Sequence, residues 1–149
     1  MRVTFWGVRG TFPATGQRFV RYGGDTMCIE VECGPTRLIL DAGSGLRALG
    51  ERLAKQDAPT EVHLLLSHAH IDHLIGFAQF APLWRPDTHI TVWSMGGSED
   101  DPAAAAKQLL APPFAPSDAS DFPARVQWRD AGLAFEPAQG VKVTPFPVN

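Results

Sequence analysis

Hydrophobic and polar positions change rhythm several times along the chain, and each change predicts an element. Val3–Trp6 reads as a first strand, followed by a glycine-rich loop from Gly7 to Gly24. Thr26–Glu32 then alternates, with Cys28, Glu30 and Glu32 on one side and Met27, Ile29 and Val31 on the other. Cys33-Gly34-Pro35-Thr36 supplies a turn into a return strand, Arg37–Asp41, which together predict a hairpin. After Ala42-Gly43-Ser44-Gly45 the period lengthens. Leu46, Leu49 and Leu53 recur at helical spacing through Lys55, with Glu51 four residues before Lys55. Val62–Ser67 is apolar apart from His63, the mark of a strand buried on both faces. A helical stretch is expected from about Ile71 to Gln79, and a strand over His89–Ser94. A second helix is expected over Pro102–Leu110, with Asp101 as N-cap and Pro102 at the first position, where no amide hydrogen is needed. Pro112, Pro113, Pro116 and Pro123 make the next segment a loop, and short strands near Arg125–Trp128 and Val141–Pro145 follow. Alternating strands and helices after a hairpin predict a layered α/β or α+β arrangement.

Composition narrows the classes. The 149 residues suit a single domain, and 44% hydrophobic with 19% charged residues suits a packed core. A net charge of −3 excludes a generally polybasic nucleic-acid binder. There is no apolar run of membrane-spanning length and no signal-like N-terminus, so a cytoplasmic protein without membrane partners is expected. Cys28 and Cys33 are an odd number of residues apart, which sends their thiols to opposite faces of a strand; both read as small buried hydrophobes. Gly43-Ser44-Gly45-Leu46-Arg47-Ala48 fits a loose dinucleotide fingerprint, but the next strand ends in Ser67-His68 instead of the required acid.

The chemistry concentrates in one place. Three of the five histidines and one aspartate, His68, His70, Asp72 and His73, directly follow the buried strand. Imidazole and carboxylate are preferred ligands of zinc and similar ions, and the C-terminal end of a strand is where open α/β sheets place ligands. On an extended strand end, His68 and His70 project to one side and can chelate one ion. A bend into a helix then turns Asp72 and His73 towards a second. Asp41 ends the neighbouring apolar strand, where it either braces a ligand histidine through its second ring nitrogen or caps the Gly43–Gly45 turn. His63 and His89 read as structural.

Ser67-His68-Ala69-His70-Ile71-Asp72-His73, with Asp41-Ala42-Gly43 upstream, resembles the metallo-β-lactamase superfamily. Phe5-Trp6-Gly7-Val8-Arg9-Gly10-Thr11 and Tyr22-Gly23-Gly24-Asp25-Thr26 are similar to the branch holding ribonuclease Z and cyclic-phosphate phosphodiesterases. The resemblance implies an αββα sandwich with two divalent metal ions, zinc foremost and manganese or iron as alternatives. His68 and His70 would hold the first ion, Asp72 and His73 the second, with Asp41 supporting. A metal-bridging hydroxide would be the nucleophile, and Asp72 a further catalytic group that takes a proton or orients the water. The family draws more ligands from a C-terminal half, whereas the last histidine here is His89. The expectation is therefore a C-terminally truncated domain, about the first half of the sandwich, itself inactive and prone to self-association or to pairing with the missing half.

The substrate reading rests on charge. The first 24 residues carry Arg2, Arg9, Arg18 and Arg21 and no acid. Arg9, Arg18 and Arg21 are candidate phosphate contacts, since guanidinium matches phosphate geometry. This favours hydrolysis of a small-molecule or RNA-like phosphodiester. Thioester or lactam hydrolysis, and a non-catalytic metal-binding or interaction fragment, are the alternatives. Trp84 and Trp93 read as core, with base stacking the alternative for them and for Phe114.

Overall fold

The computed structural model describes residues 1–95, 101–115 and 119–146; Pro116 of the proline-rich loop and Pro147-Val148-Asn149 of the expected last strand region lie outside them. The first six predicted strands assemble into one six-stranded sheet, and the seventh, near Val141–Pro145, lies outside it. In chain order they are β1 (Arg2–Gly7), β2 (Cys28–Cys33), β3 (Thr36–Leu40), β4 (Thr60–Leu66), β5 (Thr88–Ser94) and β6 (Arg125–Asp130), and they lie side by side in that same order. The β1–β2 and β2–β3 pairs are antiparallel, and from β3 onwards the sheet is parallel. Helix α1 (Gly45–Ala54) crosses between β3 and β4, and α2 (Pro102–Leu109) between β5 and β6.

One face of the sheet is covered by these crossovers. Leu46, Leu49 and Leu53 of α1 pack with Ile39, Val62, Leu64, Ile90 and Val92 of the sheet and with Phe77, Phe80 and Leu83, all at most 1% exposed. Glu30 also points into this layer and is only 1% exposed. A bare buried carboxylate is costly, so its oxygens are matched. It accepts from Arg37 Nε at 2.9 Å, from Trp6 Nε1 at 3.0 Å and from Arg52 of α1. The alternation in β2 thus buries the Cys28–Glu30 side most deeply and leaves Ile29 and Val31 half-buried.

The other face is apolar but only partly covered. The register places Phe5, Ile29, Leu40, Leu65 and Trp93 in one row across five strands. Phe5, at the row's end, is 65% exposed. A small antiparallel pair, β7 (Phe135–Ala138) and β8 (Val141–Val143), covers the opposite end, where Phe135 stacks on Trp93 with ring centroids 4.3 Å apart. Between the pair and the sheet runs a groove of about 440 Å³, lined by Met27, Leu40, Leu65 and Phe146 among others.

Several expectations change. The stretch from Ile71 to Gln79 is not one helix but two 3₁₀ turns, Ile71–His73 and Phe77–Gln79, with a third at Ala81–Trp84. The cause lies at Gly76, whose N–H donates to the Ala42 carbonyl at 2.8 Å and is lost to any helical ladder. β7 was not foreseen, because Pro137 interrupts it and Gly140 follows. Glu51 pairs with Arg47 at 2.6 Å, four residues before it, instead of Lys55. Cys28 is buried and its thiol is pushed up to about 12, chiefly by burial and then by Glu30 and the Asp41 and Asp25 carboxylates; Cys33 is only half-buried. Trp84 is 55% exposed and touches Phe122 edge-on at 5.1 Å, so it is not core, while Trp93 is half-buried. His89 is exposed on β5, and only His63 is a buried structural histidine.

Candidate metal centre

The four predicted donors come together at the C-terminal end of β4, between the end of β3 and the long loop after β1. Asp41 directly follows β3 in a left-handed conformation, φ +62°. That conformation is uncommon for a non-glycine residue, though aspartate tolerates it better than most. It turns the carboxylate back towards β4, where Asp41 accepts the Ser67 N–H at 2.8 Å. The Ser67 hydroxyl lies 2.8 and 2.9 Å from the two Asp41 oxygens and 2.9 Å from His68 Nδ1. Asp41 therefore does not cap the Gly43–Gly45 turn. Its second oxygen receives His73 Nδ1 at 2.8 Å. A carboxylate on one ring nitrogen assigns the proton there and leaves Nε2 with its lone pair outward, the usual bracing of a metal-ligand histidine.

His68 sits at the middle of the cluster. Its ring centroid is 4.0 Å from that of His73 and 4.5 Å from that of His70. The two pairs expected from the sequence are therefore not segregated, since His68 is as close to His73 as to His70. Burial lowers the His68 pKa, and the neighbouring His73 and His70 lower it further against the pull of Asp41 and Asp72. The neutral imidazole that results is the form that binds a cation. His70 is exposed at the rim and His73 is half-buried.

Asp72 is buried in the first 3₁₀ turn. Its Oδ2 accepts the Thr11 N–H at 2.8 Å and lies 3.5 Å from His73 Nε2. Burial pushes the Asp72 carboxyl up, but the Thr11 and Asp72 amides and the nearby His73 and His70 together hold it below the ordinary carboxylate range. Thr11 is itself strained, a β-branched residue at φ +74°. Neither Thr11 nor the bridging part of Ser67 was legible in advance: one acts through its backbone, the other through a hydroxyl no motif demands.

The backbones under the cluster are in direct contact. A Cβ on Gly43 would stand 2.3 Å from the Asp72 carbonyl oxygen, and one on Gly76 would stand 2.0 Å from the Gly43 carbonyl oxygen. Only glycine allows the β3–α1 turn and the 71–76 turns to meet there. The donor set, three imidazoles and a carboxylate with a second carboxylate bracing one ring, fits a divalent ion in chemistry. Its closure is partial: among the described residues no three His, Cys, Asp or Glu side chains are gathered tightly enough to hold an ion as they stand.

Residues 22–143 match the metallo-β-lactamase superfamily. The chain belongs to that superfamily. Its sheet and helical layer are part of the superfamily fold, whose members bind divalent metal ions. A crystal structure described as a new diphosphatase from the PhnP family aligns with a TM-score of 0.66 at 16% identity. The alignment covers 98% of this chain and 56% of that one, so the chain spans little more than half the length of the structure it matches. At this identity the likeness concerns the fold. No curated protein matches the chain. Among the described residues no helix is long and apolar enough to cross a membrane.

The predicted phosphate contacts lie on the β1–β2 loop. Arg9 and Arg18 line a hollow beside Gly10, one residue from the Thr11 amide that holds Asp72. Arg21 lies along the Tyr22 ring, 5.0 Å from its centroid.

Proposed function

We propose that the chain carries the metal-binding part of a hydrolase of the phosphodiesterase type, with zinc as its ion and manganese or iron as substitutes. The observation that carries this reading is the convergence of His68, His70, His73 and Asp72 at one strand end, with Asp41 on the outer nitrogen of His73. Divalent ions held there would make water reactive near neutral pH and offset charge on a phosphoryl oxygen. His68 and His73, with adjacent rings, and His70 at the rim would bind the ions. Asp41 would orient His73. Asp72 would be fixed through Oδ2 by Thr11, leaving Oδ1 to take a proton from the attacking water. The description of the PhnP-family structure as a diphosphatase supports phosphoryl chemistry over thioester or lactam hydrolysis. Activity is proposed with the remaining metal ligands supplied from outside residues 1–149.

A second reading is favoured by the partial closure of the cluster. In it the chain alone is a weak metal-binding fragment without turnover. Metal analysis and hydrolysis of bis(4-nitrophenyl) phosphate test both. The complete protein should gain activity with zinc or manganese and lose it in His68→Ala. Asp41→Asn should weaken metal binding by about 10- to 100-fold, as removal of an outer hydrogen-bond partner does. Cleavage of a thioester or lactam, with no phosphodiester turnover in either metal, would overturn the first reading. Tight binding of two ions by the 149-residue chain would overturn the second.

A further inference from the structure

We propose that the β1–β2 loop forms a second pocket, beside the metal centre, that takes an aromatic ring carrying a phosphate, as in a nucleoside monophosphate unit. The hollow has a volume of about 360 Å³ and is lined by Val8, Arg9, Gly10, Arg18, Phe19 and Tyr22. That size suits one ring with its phosphate.

The loop is anchored before any ligand arrives. The Val8 and Arg9 N–H groups both donate to the Asp25 carbonyl at 3.0 Å, and the Ala14 N–H donates to Gly24 at 3.0 Å. Arg9 Nε donates to the Phe12 carbonyl at 3.0 Å, which sets its guanidinium 4.6 Å from the Phe19 ring centroid. Arg18 approaches the same ring at 5.8 Å. Two guanidinium groups therefore share one aromatic support, and among the described residues neither meets a carboxylate. Cations left in this state are matched by an anion with several oxygens, which a guanidinium fork binds bidentately.

The aromatic half of the ligand is called for by Tyr22. Its ring is 73% exposed, at the rim of the same hollow, and has Arg21 over it. An exposed ring beside paired cations is the arrangement that stacks a base next to its phosphate. The loop's position ties the pocket to chemistry, since Gly10 lines the hollow and the next residue holds Asp72. The pocket's part in turnover rests on the hydrolase reading above, but its binding of a nucleotide does not.

Calorimetric titration of the 149-residue chain with AMP, adenosine and inorganic phosphate tests the proposal, in buffer and again with EDTA. AMP should bind about tenfold or more tighter than either of its parts, because one charge-assisted contact or one stacked base contributes at least that factor. Chelator should leave this unchanged, so failure of the metal reading does not mimic failure here. Arg18→Gln should weaken AMP and phosphate alike, whereas Tyr22→Leu should weaken AMP and adenosine and spare phosphate. A short single-stranded RNA that binds tighter than AMP, with the same sensitivity to both variants, would support the pocket and assign RNA as the source; equal binding would support it and assign the free nucleotide. AMP binding no tighter than phosphate, or unaltered by Arg18→Gln together with Arg9→Gln, would overturn it.

Discussion

On the face of the six-stranded sheet that α1 covers, Ile39, Leu64 and Val92 are sealed under leucines and phenylalanines, and even Glu30 has its donors. On the opposite face the same strands present an equally apolar row, yet Phe5 is mostly exposed and, among the described residues, the cover from β7 and β8 lies at the Trp93 end. Side-chain chemistry therefore does not distinguish the faces; coverage does. A sheet apolar on both sides expects a layer on each, and among the described residues one layer is complete and the other is a two-stranded strip.

Three experiments press on this contrast, beginning with the largest effect. Leu64→Ala opens a cavity in the covered layer and should cost about 2–5 kcal/mol, whereas Phe5→Ala on the open face should cost under about 1 kcal/mol. Chemical denaturation of the two variants measures both, and equal losses would erase the distinction between the faces. Next, the open row should drive association, so the chain is expected to sediment as a dimer or larger, and Val3→Lys with Phe5→Lys should shift it towards monomer. A wild-type monomer at tens of micromolar protein would show that the row is harmless.

The smallest effect concerns His63, which lies beneath the strip of β7 and β8 with its Nδ1 taking the Trp93 Nε1–H at 3.3 Å. Burial lowers its pKa, Glu61 partly opposes this and Arg129 adds to it. The folded state then binds the proton less readily than the unfolded chain. Stability contributed by neutral His63 should be full above the ordinary histidine value and fall as pH drops through that value towards the lower folded one. His63→Asn keeps an acceptor for Trp93 and should flatten the melting temperature across that window. An unchanged slope would place the proton-sensitive group elsewhere.

The hairpin, the succession of strands along the chain and α1 were readable because alternation and leucine spacing report directly on which side chains are buried. So was the family, through the crowding of His68, His70, Asp72 and His73 into one short segment. What alternation could not show was the deep burial of Glu30, because its acceptability depends on Arg37 and Arg52 arriving from other elements. The apolar spacing of the 71–79 stretch permits a helix; only the Gly76 bond to Ala42 shows why the ladder breaks. The Thr11 tie to Asp72 spans 61 residues and uses a backbone amide, so no side chain announces it.

The meeting of Gly43 and Gly76 has a consequence for how these residues can change over time. The floor beneath the histidines is two main chains touching, so its depth is set by the missing methyl groups. A lineage could exchange the donors above and adopt another ion or give up binding altogether, and still keep its shape. Adding a single carbon at either glycine would force the two turns apart and take the floor with it.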